Sequence, residues 1–112
     1  MITYEDFDKV DIRLGKIIAV DDFPEAKKPA FKLTIDFGVE IGVKKSSVQL
    51  VGTYEKEELM DMLVVCVVNF PIKRIASFES EVLTLGFKNT AGQGYVLVTP
   101  SVKTVELGDK LC

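Results

Sequence analysis

The stretch FKLTIDFGVEIGV, residues 31–43, decides the fold class, because its apolar and polar residues alternate on both sides of Gly38. In residues 31–37 the apolar side chains fall on every second position, which indicates a strand with one buried face. Residues 39–43 alternate again, so the two runs predict a hairpin that turns at Gly38. Residues 46–50 could continue the second strand after a kink.

Strand signals dominate the rest of the chain as well. Residues 12–20 form a long apolar-rich run, and Gly15 in its middle suggests a bulge or a sharp bend. Residues 62–68 are apolar on both faces, as in a buried central strand. Further strands are predicted at residues 81–87, 95–99 and 102–107.

Two short helices complete the predicted pattern. Thr3 followed by Asp6 is a capping-box signal for a helix over residues 4–9, and Thr53 is a candidate N-cap for a helix that runs through Leu59. An all-β chain of five or more strands, with a helix between the third and fourth, matches the five-stranded barrel of the OB-fold. On pattern alone, an SH3-like barrel or a small sandwich is the alternative.

Length and composition limit the function classes. A chain of 112 residues with 47% apolar residues can bury one core, so we expect a single domain over residues 1–112. The longest apolar run is too short to span a bilayer, and the N-terminal residues are polar, so we expect a cytoplasmic protein without membrane insertion. There is no histidine, Cys66 lies in an apolar run and Cys112 is terminal, which disfavours metal and cofactor sites.

Charge is unevenly distributed along the chain. The formal net charge is −3, which argues against non-specific attraction to nucleic acid. Residues 27–45 nevertheless carry a net charge of +3, and residues 62–78 carry Lys73 and Arg74 with no acid. The sequence pattern alone does not say whether these two basic stretches meet in space.

Three segments together resemble the tRNA-binding domain family. They are DIRLGKI at residues 11–17, DFGVEIGVKKSSVQL at residues 36–50 and VVNFPIKRIASFESEVLTLG at residues 67–86. The family comprises OB-folds appended to some methionyl- and phenylalanyl-tRNA synthetases and stand-alone dimers. Within it, the chain is most similar to the CsaA group, described as tRNA-binding proteins and as export-related chaperones. The resemblance runs from Phe7 to about Gly108.

The resemblance implies a non-catalytic tRNA-binding protein that recognises the folded RNA by shape and backbone. Cations would contact phosphates, and hydroxyl or amide groups would contact riboses and base edges. The implied binding residues are Lys44, Lys45, Ser46, Ser47, Gln49, Asn69, Lys73, Arg74 and Ser80. The family's homodimers imply a contact between copies through Phe7, Tyr95, Val102 and Leu107.

Two features of the sequence bear on the strength and mode of RNA binding. Ser77 and Glu79 depart from the family pattern, which has glycine at the first position and a lysine or neutral residue at the second. We assign Phe31, Phe37 and Phe70 to the core, so that only Tyr54 and Tyr95 are free to stack on bases.

Three other functions compete with tRNA binding. The CsaA likeness implies a chaperone that takes unfolded preproteins, alone or with export machinery, along an apolar groove or a strand edge. A structural adaptor to a synthetase is the second alternative. An enzyme is the third, with Ser46 or Ser47 beside Lys44, or Asp21 beside Asp22, but no oxyanion or cofactor motif accompanies them, so we expect no catalysis.

Overall fold

The computed structural model describes residues 1–112, which form nine short strands and two short helices. The strands are β1 (Ile12–Asp22), β2 (Phe31–Asp36), β3 (Val43–Val48), β4 (Leu63–Val67), β5 (Lys73–Ile75), β6 (Phe78–Ser80), β7 (Leu83–Thr84), β8 (Gly86–Lys88) and β9 (Tyr95–Leu97). The helices are α1 (Tyr4–Asp8) and α2 (Lys56–Leu59). The main sheet is antiparallel with the order β3-β2-β1-β4-β7, and β5-β6 and β8-β9 are separate hairpins.

Strand β1 bends so that its two halves pair with different neighbours. Its first half pairs with β4 and its second half with β2, and the register shifts between Ile17 and Ala19. The bulge predicted near Gly15 therefore lies just beyond it. Gly15 marks a close approach instead, since a Cβ there would lie 2.5 Å from Ile35 Cγ2. The bend coils the sheet into a barrel.

Hydrogen bonds from β3 close the barrel almost completely. The Lys45 carbonyl accepts from the amides of Glu81 and Val82, just before β7, and the Gln49 carbonyl accepts from the amide of Tyr95 in β9. The prediction of an all-β, five-stranded barrel with a helix between the third and fourth strands is thereby confirmed. The barrel interior holds the larger of two apolar clusters, which includes Phe37 and Leu50.

A second apolar cluster lies on the outer face of the sheet. It comprises Ile12 and Leu14 of β1 with Val65 and Val67 of β4, and Phe7 of α1 packs against it. The last residues of the chain run beside β1, where main-chain bonds join Leu14 to Asp109 and Ile12 to Leu111. No helix is long and apolar enough to cross a bilayer.

Helix α1 begins as predicted, whereas α2 does not. Thr3 Oγ1 accepts from the Asp6 amide at 3.3 Å, and the Asp6 carboxylate accepts from the Thr3 amide at 3.0 Å. The N-cap of α2 is Glu55, whose amide donates to Glu58 Oε1 at 2.7 Å. Thr53, the predicted cap, donates its hydroxyl to the Gln93 carbonyl instead.

Several strand boundaries differ from the sequence prediction. Residues 39–42 are a turn rather than a strand, because Gly38 and Gly42 both take positive φ angles and the Phe37 amide bonds to the Gly42 carbonyl. Strand β3 therefore includes residues that the sequence predicted only as a possible continuation of the second hairpin strand. The run at 81–87 divides into β7 and β8, and residues 102–107 form no strand. The β5-β6 hairpin was not predicted, since its strands are only three residues long.

Candidate functional site

One open groove with a volume of about 1100 Å³ runs across the barrel. The ends of β3 and β6 form its floor, the rest of the β5-β6 hairpin forms one side, and the loop after β1 and strands β7, β8 and β9 complete it. Its polar and charged lining residues are Glu25, Lys27, Lys28, Ser47, Gln49, Lys73, Arg74, Ser80, Glu81, Thr84 and Tyr95. We call this feature the barrel groove.

Two aromatic rings fix the β5-β6 hairpin to the rest of the barrel. Phe78 of β6 meets Phe23 edge-on at 5.4 Å between ring centroids, and Phe23 is buried. Lys32 Nζ lies 5.5 Å and 5.9 Å from the centroids of the same two rings. Such contacts are typical of cation–π pairs. They hold the hairpin beside the loop that follows β1, so that both can line one groove.

Cations from these two distant segments meet in the barrel groove. Lys27 and Lys28 come from the loop after β1, and Lys73 and Arg74 come from β5. All four side chains belong to exposed residues. The groove also contains the carboxylates of two glutamates, so its lining carries a net charge of +2 although the whole chain carries −3. The start of the first basic stretch and the cations of the second therefore line one groove.

The acids of the hairpin engage partners within the protein. Glu79 Oε2 accepts from Arg74 at 3.2 Å, because the two residues lie opposite each other in the β5-β6 ladder. Glu81 Oε1 accepts from the Lys45 amide at 3.0 Å. The Glu79 departure from the family pattern thus places an anion directly against a groove cation.

Three of the predicted polar residues lie in the floor of the groove. Ser47 and Gln49 are half-buried on β3 and just after it, and Ser80 ends β6. The Ser47 amide donates to Ser80 Oγ at 3.0 Å, which joins the hairpin to the barrel. Together with Lys73 and Arg74, five of the nine predicted binding residues line the groove.

The other four predicted residues lie elsewhere. The Ser46 side chain is buried, and its hydroxyl donates to the Val82 carbonyl and accepts from Thr84. Asn69 bridges the Asp11 amide and the Lys9 carbonyl, at 2.9 Å and 2.8 Å, and so holds the segment after α1. Lys44 and Lys45 begin β3 outside the groove lining. None of these four lines the groove, and their binding roles stay predictions.

The aromatic residues divide differently from the sequence prediction. Phe31 and Phe37 are buried as expected, but Phe70 is 50% exposed and lines the groove, so its assignment to the core was wrong. Tyr95 also lines the groove, at 38% exposure. The Tyr54 hydroxyl accepts from the Leu97 amide, so this ring is fixed among the core residues rather than free to stack.

The hairpin turn has its left-handed residue at Ala76, one position before the serine that departs from the family pattern. Ala76 takes a φ of 53°, whereas Ser77 has no positive φ. The substitution of serine for the family's glycine therefore places no left-handed residue under strain. The left-handed conformation falls instead on alanine, which costs about 1 kcal/mol.

The four residues predicted to join two copies lie in different surroundings. Phe7 packs on the outer cluster, whereas Tyr95 lines the barrel groove. Val102 is 61% exposed and Leu107 is half-buried beside Gly38.

The two groups with a shifted pKa, Cys66 and Arg13, make their contacts within the protein. Burial raises the pKa of the Cys66 thiol to about 12. The contact of the thiol with Thr84 Oγ1 at 3.5 Å lowers this pKa, but by less than burial raises it. Asp11 accepts from Arg13 at 2.6 Å and raises the pKa of that guanidinium, which also donates to the Gly108 carbonyl. No cluster of three or more histidine, cysteine, aspartate or glutamate side chains could hold a metal ion.

Sequence reasoning missed three groove residues, Lys27, Lys28 and Phe70. The excess positive charge of residues 27–45 could have indicated a binding role for the two lysines. That they line the same groove as Lys73 depends on the Phe23–Phe78 contact, which the sequence does not show. For Phe70 there was no signal, because an apolar residue after a buried strand more often belongs to the core.

The fold and the groove define a small barrel of the OB class, whose members bind ligands across one open face. Residues 12–110 match the family model described as "Putative tRNA binding domain". The chain therefore belongs to the tRNA-binding domain family, as its three sequence segments indicated.

Proteins similar to this chain include a methionine–tRNA ligase and two proteins named CsaA chaperones. The chain is 35% identical to methionine–tRNA ligase of Pyrococcus furiosus over 115 residues, and it spans only 14% of the length of that enzyme. It is 51% identical to the CsaA chaperone protein of Picrophilus torridus, with a TM-score of 0.90 and full coverage of both chains. It is 44% identical to chaperone CsaA of Bacillus anthracis, also with a TM-score of 0.90, covering 100% of this chain and 99% of that one.

Proposed function

We propose that this protein binds folded tRNA by its shape and backbone, through the barrel groove, and catalyses no reaction on it. The observation that carries the proposal is the meeting of Lys27 and Lys28 with Lys73 and Arg74 in one groove. Each can contact a phosphate, and the arginine can do so with two hydrogen bonds. The residues proposed for binding are Lys27, Lys28, Ser47, Gln49, Lys73, Arg74 and Ser80.

That the protein catalyses no reaction is part of this proposal, and two observations support it. The match to methionine–tRNA ligase covers only a small part of that enzyme, so its ligase activity is not proposed for this chain. Ser46, the nucleophile imagined beside Lys44, is buried and hydrogen-bonded to Val82 and Thr84. We propose that residues 1–112 act as one binding unit in the cytoplasm.

The experiment that tests tRNA binding is charge reversal of the hairpin cations. We expect Lys73→Glu with Arg74→Glu to weaken binding of a fluorescently labelled tRNA transcript about tenfold or more, because two phosphate contacts become repulsive. Fluorescence anisotropy at several salt concentrations measures the affinity. For the unmodified protein, log K should fall linearly with log salt, by about 0.7–0.9 for each phosphate contact.

A control variant with the same change in net charge distinguishes an effect of the groove cations from an effect of the total charge. Lys9→Glu with Lys103→Glu changes the net charge equally, and both lysines are exposed and lie outside the groove. This variant should lose much less affinity than the hairpin variant. Equal losses in the two double variants, with circular dichroism showing both folded, would remove the groove from the proposal.

A peptide-binding chaperone is the second candidate function. The observation in its favour is apolar surface in the groove, where Phe70 and Leu83 are each about half exposed. Two relatives of similar structure are named chaperones. An extended apolar peptide would bind with little dependence on salt, whereas tRNA binding should weaken steeply. A salt titration with each ligand therefore distinguishes the two.

We propose further that two copies associate through the outer face of the sheet. A smaller hollow of about 330 Å³ lies there, lined by Val98, Pro100, Val105 and Leu111, among others. Val105 and Leu111 are 38% and 47% exposed, so the last segment leaves apolar surface uncovered. A dimer would double the number of groove cations available to one RNA. Sedimentation equilibrium of Leu111→Glu should show a shift toward monomer.

A further inference from the structure

The barrel groove offers aromatic surface beside its cations. Phe70 is 50% exposed and Tyr95 is 38% exposed, and both line the groove that Lys73 and Arg74 line. Phe70 follows β4 and precedes Pro71, whose ring fixes the backbone next to it. A single exposed apolar residue needs no explanation, but Phe70, Leu83 and Tyr95 are all exposed in the same groove, and apolar surface shared in this way points to a ligand.

The polar groups nearby complete a surface suited to a nucleotide. Ser47 and Gln49 lie in the floor of the same groove and can bond to sugar hydroxyls or base edges. The lining has four cations against two carboxylates, which favours a phosphate-bearing ligand over a neutral one. An RNA segment presents phosphates and aromatic base faces together, and thus matches both kinds of surface.

Base faces are accessible only where RNA is unpaired. In a helix each base stacks on its neighbours, so a protein ring cannot reach its face without unstacking the helix. In ends and loops the faces are free, and stacking on aromatic side chains is the usual way that proteins hold such bases.

We propose that the barrel groove binds an unpaired end or loop of the RNA, with a base stacked on Phe70 while the cations hold the flanking phosphates. This inference rests on the proposed tRNA binding and adds to it, because recognition by shape and backbone alone does not use the aromatic rings. It names the part of the RNA that the groove takes, an unpaired segment rather than a helix.

The test compares two RNA probes that differ only in an unpaired end. One is a blunt duplex of about 12 base pairs, and the other is the same duplex with a 3′ overhang of about four nucleotides that carries 2-aminopurine. We expect the protein to bind the overhang probe about tenfold more tightly than the blunt one, since one stacked base contributes that much. Quenching of 2-aminopurine fluorescence should accompany binding.

Phe70→Ala and Phe70→Leu are the informative variants. Both should lose most of the preference for the overhang and most of the quenching. Phe87→Ala is the matched control, because Phe87 is 71% exposed but lies outside the groove lining. It should retain both the preference and the quenching.

The possible results separate the two proposals. If tRNA binds but the overhang gives no advantage, or if Phe70→Ala keeps the advantage, the stacking inference is overturned and tRNA binding stands. If Phe70→Leu behaves as the unmodified protein, simple apolar contact replaces stacking and the inference also fails. If neither tRNA nor either duplex binds, and an apolar peptide does, the proposed function itself is refuted.

Discussion

Glu79 should weaken RNA binding by holding Arg74. The two side chains pair at 3.2 Å, and they remain 53% and 67% exposed. This carboxylate competes with a phosphate for the charge of Arg74 and for the donors of its Nη2. Glu79→Gln removes the charge and keeps the size of the side chain, so the guanidinium becomes available without that competition.

The size of the effect follows from the exposure of the pair. Ion pairs in such solvated positions contribute about 0.2–1 kcal/mol. If binding must break this pair, its removal strengthens binding by about 1.4- to 5-fold at low salt. If Arg74 then binds one additional phosphate, the slope of log K against log salt should become steeper by about 0.7–0.9. The free energy of unfolding should change by about 1 kcal/mol or less.

Fluorescence anisotropy with labelled tRNA at several salt concentrations provides both quantities. Glu57→Gln is the control, since Glu57 is an exposed acid of α2 outside the groove and its loss changes the net charge equally. If Glu79→Gln binds no more tightly than Glu57→Gln, and the salt slope is unchanged, then Glu79 does not compete for Arg74. The difference between the two variants should shrink as salt screens the groove.

Three further predictions concern the barrel. Gly15→Ala should lower the free energy of unfolding by about 1–3 kcal/mol in urea titrations, because the new Cβ would lie 2.5 Å from Ile35 Cγ2. Gly92→Ala is the control and should leave the free energy of unfolding unchanged, since there is open space around Gly92. Asn69→Ala should cost about 1–2 kcal/mol by the same measurement and leave tRNA affinity unchanged, since both of its bonds are internal. Burial raises the pKa of Cys66 to about 12 from an ordinary 9.0, so the Cys66 thiol should resist Ellman's reagent until the chain unfolds. The contribution of this neutral thiol to the free energy of unfolding is complete below about pH 9 and is lost as the pH rises toward 12. Cys66→Val should abolish this pH dependence.

The sequence determines the barrel because its signals are local. Alternation over residues 31–36, the apolar run of β4 and the Thr3–Asp6 cap each depend on neighbours in the chain, and each is confirmed. The start of β3 was misplaced because alternation alone does not reveal that Gly38 and Gly42 have positive φ angles.

The groove was harder to predict, because it depends on contacts between distant segments. Lys73 and Arg74 were identified through the family resemblance, and both line the groove. Ser46 and Asn69 carry suitable groups, but internal partners occupy them, and the sequence does not show which polar group finds such a partner. The exposure of Phe70 likewise depends on what surrounds it in the folded chain.

In the β5-β6 hairpin, β6 attaches the groove wall to the barrel, whereas β5 carries the cations of that wall. Phe78 against Phe23, and Ser80 against the Ser47 amide, hold the hairpin from its β6 strand. The cations lie on β5, where both residues are exposed. Changes in charge on β5 should therefore alter RNA affinity without loosening the barrel, whereas Phe78→Ala should weaken binding by displacing the wall. If Phe78→Ala left tRNA affinity unchanged, the hairpin could not be the support that brings Lys73 and Arg74 into the groove.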